Sequence, residues 1–219
     1  MPIRGEGCRG LRGGMKLTFE ADVDGRPKPV QMRFGNERDL AELRRWRSPA
    51  RLRANPHVRD ALEYARLASK RWAYYHRNGE TATTLPQLRA AIRRNPRAEV
   101  AFMLVARASW QPDPKLLGLA YCRRSWCHRL IVDFLAVHPH VVGRLRENIR
   151  GMGTGLFNGL IQIADDLGIE MIWGEATVNS APFYERILGA EIVLDQFHIH
   201  GEAMAHCRRE LARIHQPRP

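Results

Sequence analysis

The hydrophobic pattern of the chain changes period several times. Over residues 16–23 and 30–34 apolar and polar positions alternate, with Asp24-Gly25-Arg26-Pro27 between them. Alternation of this kind around turn-forming residues predicts a β-hairpin. Asn36 then precedes Glu37, Asp39 and an apolar stripe of Leu40, Leu43 and Trp46, the pattern of a capped helix with acid in its first turn. A basic linker, 48–56, leads to a longer helix over 58–76, whose packing face carries Ala61, Leu62, Tyr64, Ala65, Ala68 and Trp72. Leu85-Pro86 opens a third helix over 84–94.

A run of strands follows. Segments 99–108 and 115–123 flank Gln111-Pro112-Asp113-Pro114 and read as a second hairpin. Segment 130–137 is apolar on both faces apart from Asp133, which predicts a central strand covered on both sides. Beyond a glycine-rich turn, Leu156, Phe157, Leu160, Ile161, Ile163, Ala164 and Leu167 recur at helical spacing, and Gly168 stands where a left-handed stop belongs. A strand over 169–177, a short helix over 181–188 capped by Asn179-Ser180, a strand over 190–199 and a helix over 202–214 complete the pattern. The first 14 residues, five of them glycine, read as disordered. The expected organisation is therefore a disordered stretch at 1–14, one domain over 15–200, and a C-terminal helix and tail over 201–219. The apolar side of that helix (Met204, Cys207, Leu211, Ile214) makes a homodimer an expectation.

Composition narrows the class. At 219 residues and 44% hydrophobic content the chain can bury a sizeable core. It has no apolar run of membrane-spanning length and no secretory h-region, and its four cysteines form no dense framework. These features point to a cytoplasmic protein with reduced thiols. The net charge of +12 is uneven: residues 1–100 hold 22 Lys and Arg against 11 Asp and Glu, residues 101–219 hold 13 against 12. A basic N-terminal half suits nucleic acid, an acidic substrate or a coenzyme's phosphates, and an arginine-rich solvated surface is the plainer alternative. Trp72, Tyr74, Tyr75 and His76, interleaved with Lys70, Arg71 and Arg77, read either as a stacking surface or as a core patch edged by basic side chains.

The candidate chemistry centres on Arg150-Gly151-Met152-Gly153-Thr154-Gly155, placed between the central strand and a helix. The first N–H groups of a helix lack partners and carry partial positive charge, and glycines let a phosphate approach the backbone. The segment lacks the Gly-Lys-Ser/Thr of a P-loop and the G-x-G-x-x-G of a dinucleotide turn. Arg150-x-x-Gly153-x-Gly155 does resemble the coenzyme A pyrophosphate turn of the GNAT acetyltransferase superfamily. Leu135-Ala-Val137-His-Pro139 is similar to that family's fourth strand and its exit, and Asn179-Ser-Ala-Pro-Phe-Tyr184 through Gly189 to its asparagine, tyrosine and closing glycine. The resemblance covers roughly residues 30–199.

It implies an α/β fold with a mixed, mostly antiparallel sheet flanked by helices, here with an extra helical N-terminal part. It implies acetyl-CoA as cosubstrate, no metal, and transfer of the acyl group by direct attack of a primary amine. In that layout the backbone near Ala136 and Val137 binds the pantetheine arm. Arg150 and Gly151, with the backbone of Met152, Gly153, Thr154, Gly155 and Leu156, holds the pyrophosphate. Asn179 contacts the coenzyme arm and Tyr184 is the general acid. Asp133 and Glu175 are the candidate bases, Asp133 preferred because a carboxylate inside an apolar strand needs a reason. A non-catalytic module of the same fold, binding coenzyme A or nucleic acid, is the alternative. Three features depart from the family pattern: a longer loop at 140–149, a helix after the last strand, and a longer, more helical N-terminal half. Cys122, Cys127, His128, His138 and His140 lack the spacing of a zinc site.

Overall fold

The computed structural model describes residues 17–143, 148–189 and 192–215, the last five of these in backbone only. The stretch expected to be disordered, 1–14, lies outside them, as do the side chains of Leu211 and Ile214. Strands β1 (Leu17–Val23) and β2 (Arg26–Phe34) form the first hairpin, with Asp24 and Gly25 both at positive φ in its turn. Helix α1 (Glu37–Leu43) starts on a full capping box, in which Asn36 and Asp39 each bond the other's backbone. Asp39 is fully buried, and its oxygens receive Arg33 at 2.7 and 2.8 Å and Arg107 at 2.9 Å. A single turn of 3-10 helix at Ala50–Leu52 leads to α2 (Pro56–Asn78), capped by Asn55 with Pro56 in its first turn.

Strand β3 (Glu80–Ala82), which the pattern did not predict, pairs parallel with β4 (Val100–Arg107) and links α2 to α3 (Leu85–Arg94). Strands β5 (Leu116–Arg124) and β6 (Leu130–Val137) follow, then a single helical turn α4 (Pro139–Val142), strand β7 (Ile149–Arg150) and helix α5 (Met152–Leu167). The chain continues with β8 (Ile172–Glu175), α6 (Ala181–Leu188), β9 (Gln196–Ile199) and α7 (Gly201–His215). Strands β8 and β9 are shorter than the apolar runs suggested, and the loop over 140–149 contributes both α4 and β7.

One sheet runs in the order β7-β1-β2-β4-β5-β6-β8-β9. It is antiparallel except for the β3–β4 and β6–β8 pairs. Helices α1 and α2 cover one face through Leu40, Leu43, Trp46, Ala65, Ala68 and Trp72. Helices α3, α5, α6 and α7 cover the other, with Leu88, Leu156, Leu160, Ile163, Tyr184 and Met204. The two-sided core explains why β4, β5 and the start of β6 read as nearly continuous apolar runs. No helix among the described residues is long and apolar enough to cross a membrane.

Candidate active site

The sheet opens at β6. Leu130, Ile131 and Val132 pair parallel with Ile172, Trp173 and Gly174, and there the pairing stops. From Asp133 to Val137 no strand among the described residues covers the β8-facing edge of β6, so its backbone donors and acceptors on that side face a gap. Gly174 allows the close approach just before the opening: a Cβ there would lie 2.7 Å from the Val132 carbonyl oxygen. A β-bulge marks the same point, because Tyr121 pairs with Phe134 and Cys122 with Val132, leaving Asp133 as the extra residue.

The gap is a cavity of about 390 Å³. Tyr64 and Leu67 of α2 wall it on one side, and Asp133, Glu175, Tyr184 and Asp195 contribute its polar groups. Three of these were anticipated from sequence: Tyr184, Asp133 and Glu175. Tyr64 and Asp195 were not. Tyr64 was legible only as part of a helix's packing face, and nothing in the pattern ties it to residues more than a hundred positions away.

Tyr184 is 4% exposed, with its ring stacked on Phe197 at 4.0 Å and edge-on to Phe183 at 5.1 Å. Burial, with a smaller contribution from Tyr64, pushes its hydroxyl well above the usual phenol range, so it carries its proton at neutral pH. Burial likewise raises Tyr64, opposed by a hydrogen bond to Thr177 and reinforced by the charges of Asp60 and Glu175.

The two candidate bases differ sharply. The Asp133 carboxylate is engaged on both oxygens: Arg123 at 2.6 and 2.8 Å, and Arg71 of α2 at 2.6 Å. Its lone pairs are committed to a fork-shaped ion pair that ties α2 to the sheet. Glu175, at the end of β8, is exposed and makes no side-chain hydrogen bond or ion pair among the described residues. Asn179 is held as well, its amide donating to Asp60 Oδ2 at 2.9 Å, and Thr177 approaches the same oxygen at 3.3 Å. Asp60 thereby joins α2 to the start of α6.

The glycine turn sits beside the open strand. Gly151 precedes α5 at φ 86°, a left-handed conformation that favours glycine. Gly155 N–H already donates to the Gly151 carbonyl at 2.8 Å, and Leu156 lies within the helical ladder. The free backbone donors are thus those of Met152, Gly153 and Thr154. The other glycines serve packing. A Cβ at Gly155 would lie 2.3 Å from the Phe19 ring, and one at Gly153 would lie 2.9 Å from Phe183. Leu156 fits against Gly118, which pairs with Val137, so the first turns of α5 lie against the end of β6. Phe183 reaches Gly153 while its neighbour Tyr184 lines the cavity, so α6 connects the two. Arg150 is exposed next to these donors, in register with Asp22 of β1, its guanidinium against Asn148.

Cys122 is fully buried and Cys127 exposed, and no group of three or more metal-ligating side chains occurs among the described residues. His138 is buried away from the cavity, between the rings of Trp46 and His140, each with a centroid 4.9 Å away. Burial depresses its pKa to about 3, so it is neutral at ordinary pH.

No family model matches the sequence, and no curated protein does. Among solved structures, the chain is similar to a putative GNAT-family acetyltransferase from Desulfovibrio desulfuricans, with 17% identity over 72% of this chain and 82% of that one and a TM-score of 0.43. It is similar to a GNAT-family acetyltransferase from Staphylococcus aureus Mu50, with 11% identity over 77% and 97% and a TM-score of 0.45. The match to nourseothricin acetyltransferase, at 24% identity and a TM-score of 0.32, spans 39% of this chain and about half of that one (48%). The strand order, the parallel pair that splays after Val132 and the glycine-opened helix beside the splayed strand give the mixed, mostly antiparallel α/β fold expected of the chain.

Proposed function

We propose that the chain is an acyl-CoA-dependent N-acyltransferase, transferring acetyl from acetyl-CoA to a primary amine by direct attack. The observation that carries this reading is the opening of β6 from β8: an unpaired strand edge faces a cavity that holds a protonated tyrosine and an unpaired carboxylate. The coenzyme fits the residues present. Met152, Gly153 and Thr154 supply three free N–H groups at a helix N-terminus, with Arg150 adjacent, which is what a pyrophosphate requires. The edge of β6 near Ala136 and Val137 would take the pantetheine amides and orient the thioester carbonyl.

Glu175 is the proposed base. It accepts a proton from the acceptor ammonium, the amine forms the C–N bond, and the C–S bond breaks. Tyr184 then donates its proton to the departing thiolate, and the second proton of the attacking nitrogen, lost as the amide forms, restores the tyrosine, so that a neutral thiol and a neutral amide leave and the one net proton is carried off through Glu175. Asp133 is assigned a positioning role: with Arg71 and Arg123 it fixes α2 and hence Tyr64 against the cavity. Asn179 positions α6 through Asp60. The free thiols of Cys122, Cys127 and Cys207 are in keeping with a reducing compartment, and the cytoplasm is the proposed location.

The test is thiol release from acetyl-CoA in the presence of a panel of primary amines, for the wild type and Tyr184→Phe. The expected result is acceptor-dependent release, with kcat lowered roughly 10- to 100-fold in the variant and KM for acetyl-CoA within about twofold. Binding of acetyl-CoA without turnover on any amine would replace the enzyme by a coenzyme-binding module. Unchanged kcat in Tyr184→Phe would remove Tyr184 from the chemistry.

A further inference from the structure

A second and larger depression, about 960 Å³, lies on the opposite flank of α2, between that helix and the segment running from the end of α1 through the 3-10 turn. Its floor is apolar: Leu43, Trp46, Val58 and Leu62. Its walls are cationic. Arg59, Arg66, Lys70 and Arg77 recur along α2 at separations of seven, four and seven residues, which places them in one stripe, and Arg44, Arg47 and Arg53 face them. All seven are exposed and, among the described residues, no carboxylate lines the groove. Among the described residues only Arg66 is ion-paired, with Glu63 one turn away on the same helix. The fold elsewhere pairs its buried acids with arginines, as at Asp39 and Asp133, so six unpaired cations on one groove are a local excess.

We infer that this groove binds single-stranded nucleic acid through its phosphodiester backbone. Three observations select that occupant. The stripe from Arg59 to Arg77 is about 27 Å long at 1.5 Å per residue, which suits an extended polyanion rather than a small anion. All but one of the cations are arginines, whose planar fork matches phosphate oxygens two at a time. An exposed ring accompanies them: Tyr74, 57% exposed, stands beside Lys70 and Arg77 on α2, while Trp46 is buried and closes the floor. Bases stacking on exposed rings while arginines track the backbone is the physical basis of single-strand binding. An acidic polypeptide would use the charge and the guanidinium forks but would leave the exposed Tyr74 ring without a stacking partner. The inference is independent of the acyltransferase reading, because none of these residues lines the β6–β8 cavity.

The experiment is fluorescence anisotropy without coenzyme, using a labelled mixed-sequence single-stranded RNA, the same strand as DNA, the corresponding duplex, and polyglutamate. The proteins are the wild type, a groove triple (Arg59→Gln, Lys70→Gln, Arg77→Gln) and a charge-matched triple elsewhere (Arg26→Gln, Arg93→Gln, Arg97→Gln). Thermal melts establish that both triples fold. The expected result is binding of both single strands, weakened about tenfold or more by the groove triple and less than about twofold by the other. The slope of log affinity against log salt should become shallower by about 2 in the groove triple only. Equal weakening by both triples would reduce the effect to diffuse net charge and overturn the inference. Tighter binding of duplex or of polyglutamate than of either single strand would overturn it as well, as would no binding at low salt.

Discussion

Helix α2 has two flanks with opposite electrostatic character. On one, Asp60, Tyr64, Leu67 and Arg71 face the β6–β8 opening, where two acids are satisfied: Asp60 by Asn179 and Asp133 by two guanidiniums. On the other, seven arginine and lysine side chains line a groove in which, among the described residues, only Arg66 is ion-paired, with Glu63. The contrast teaches how to sort charge in this molecule. Charge that the fold has neutralised holds elements together, and charge left unneutralised is available to a partner. By this rule we propose Glu175 as the chemical carboxylate of the cavity and Asp133 as the structural one, although the sequence alone favoured Asp133.

The largest expected effect tests that sorting. Glu175→Gln should lower kcat by about 10²- to 10⁴-fold with an unchanged melting temperature. Loss of activity in Asp133→Asn without loss of stability would reverse the assignment. Next, Asp133→Asn should cost about 3 kcal/mol in urea unfolding, because it leaves Arg123 and Arg71 without their partner in a partly buried place. An effect under about 1 kcal/mol would mean that the pair does not anchor α2.

A third prediction concerns what lies beneath the groove. His138, packed against Trp46, has a folded pKa of about 3 against 6.5 unfolded. The unfolded chain therefore takes up a proton in that window while the native one does not, so stability falls as pH drops below 6.5. The loss is roughly 1.4 kcal/mol per pH unit, or about 2–3 kcal/mol by pH 4.5. Unfolding free energies measured from pH 7 to 4.5 should show this slope in the wild type and lose it in His138→Gln. The same slope in both would place the acid sensitivity elsewhere. The smallest effect sharpens the reading of the glycine turn. Gly155→Ala should cost about 1–3 kcal/mol by pushing into the Phe19 ring, and Phe19→Leu should recover much of it. Failure of the double variant to recover would return Gly155 to a direct ligand role.

Much of the architecture was legible because local chemistry and burial agree. The cap at Asn36, the left-handed stops at Gly168 and Gly189 and the two-sided apolar strand β6 all follow from residues within a few positions of one another. What stayed hidden is long-range. The β7–β1 pairing joins Ile149 to Val23, and the groove joins α2 to the end of α1, neither of which has a local signal. Arg71 reaches Asp133 across 62 positions, so the ion pair that engages the aspartate inside an apolar strand had no local signal. The packing of Phe183 against Gly153 and of Phe19 against Gly155 was hidden for the same reason, because those rings come from a distant helix and a distant strand.

The central claim is that the opening between β6 and β8, with the free donors of α5, is an acyl-CoA site. Calorimetric titration of acetyl-CoA and of acetyl-pantetheine, which lacks the pyrophosphate, into the wild type and Arg150→Ala tests it most directly. The account predicts that acetyl-CoA binds the wild type more tightly than acetyl-pantetheine does, and that Arg150→Ala narrows the gap by weakening acetyl-CoA alone. No heat of binding from acetyl-CoA, or equal affinity for the two ligands in the wild type, would contradict it.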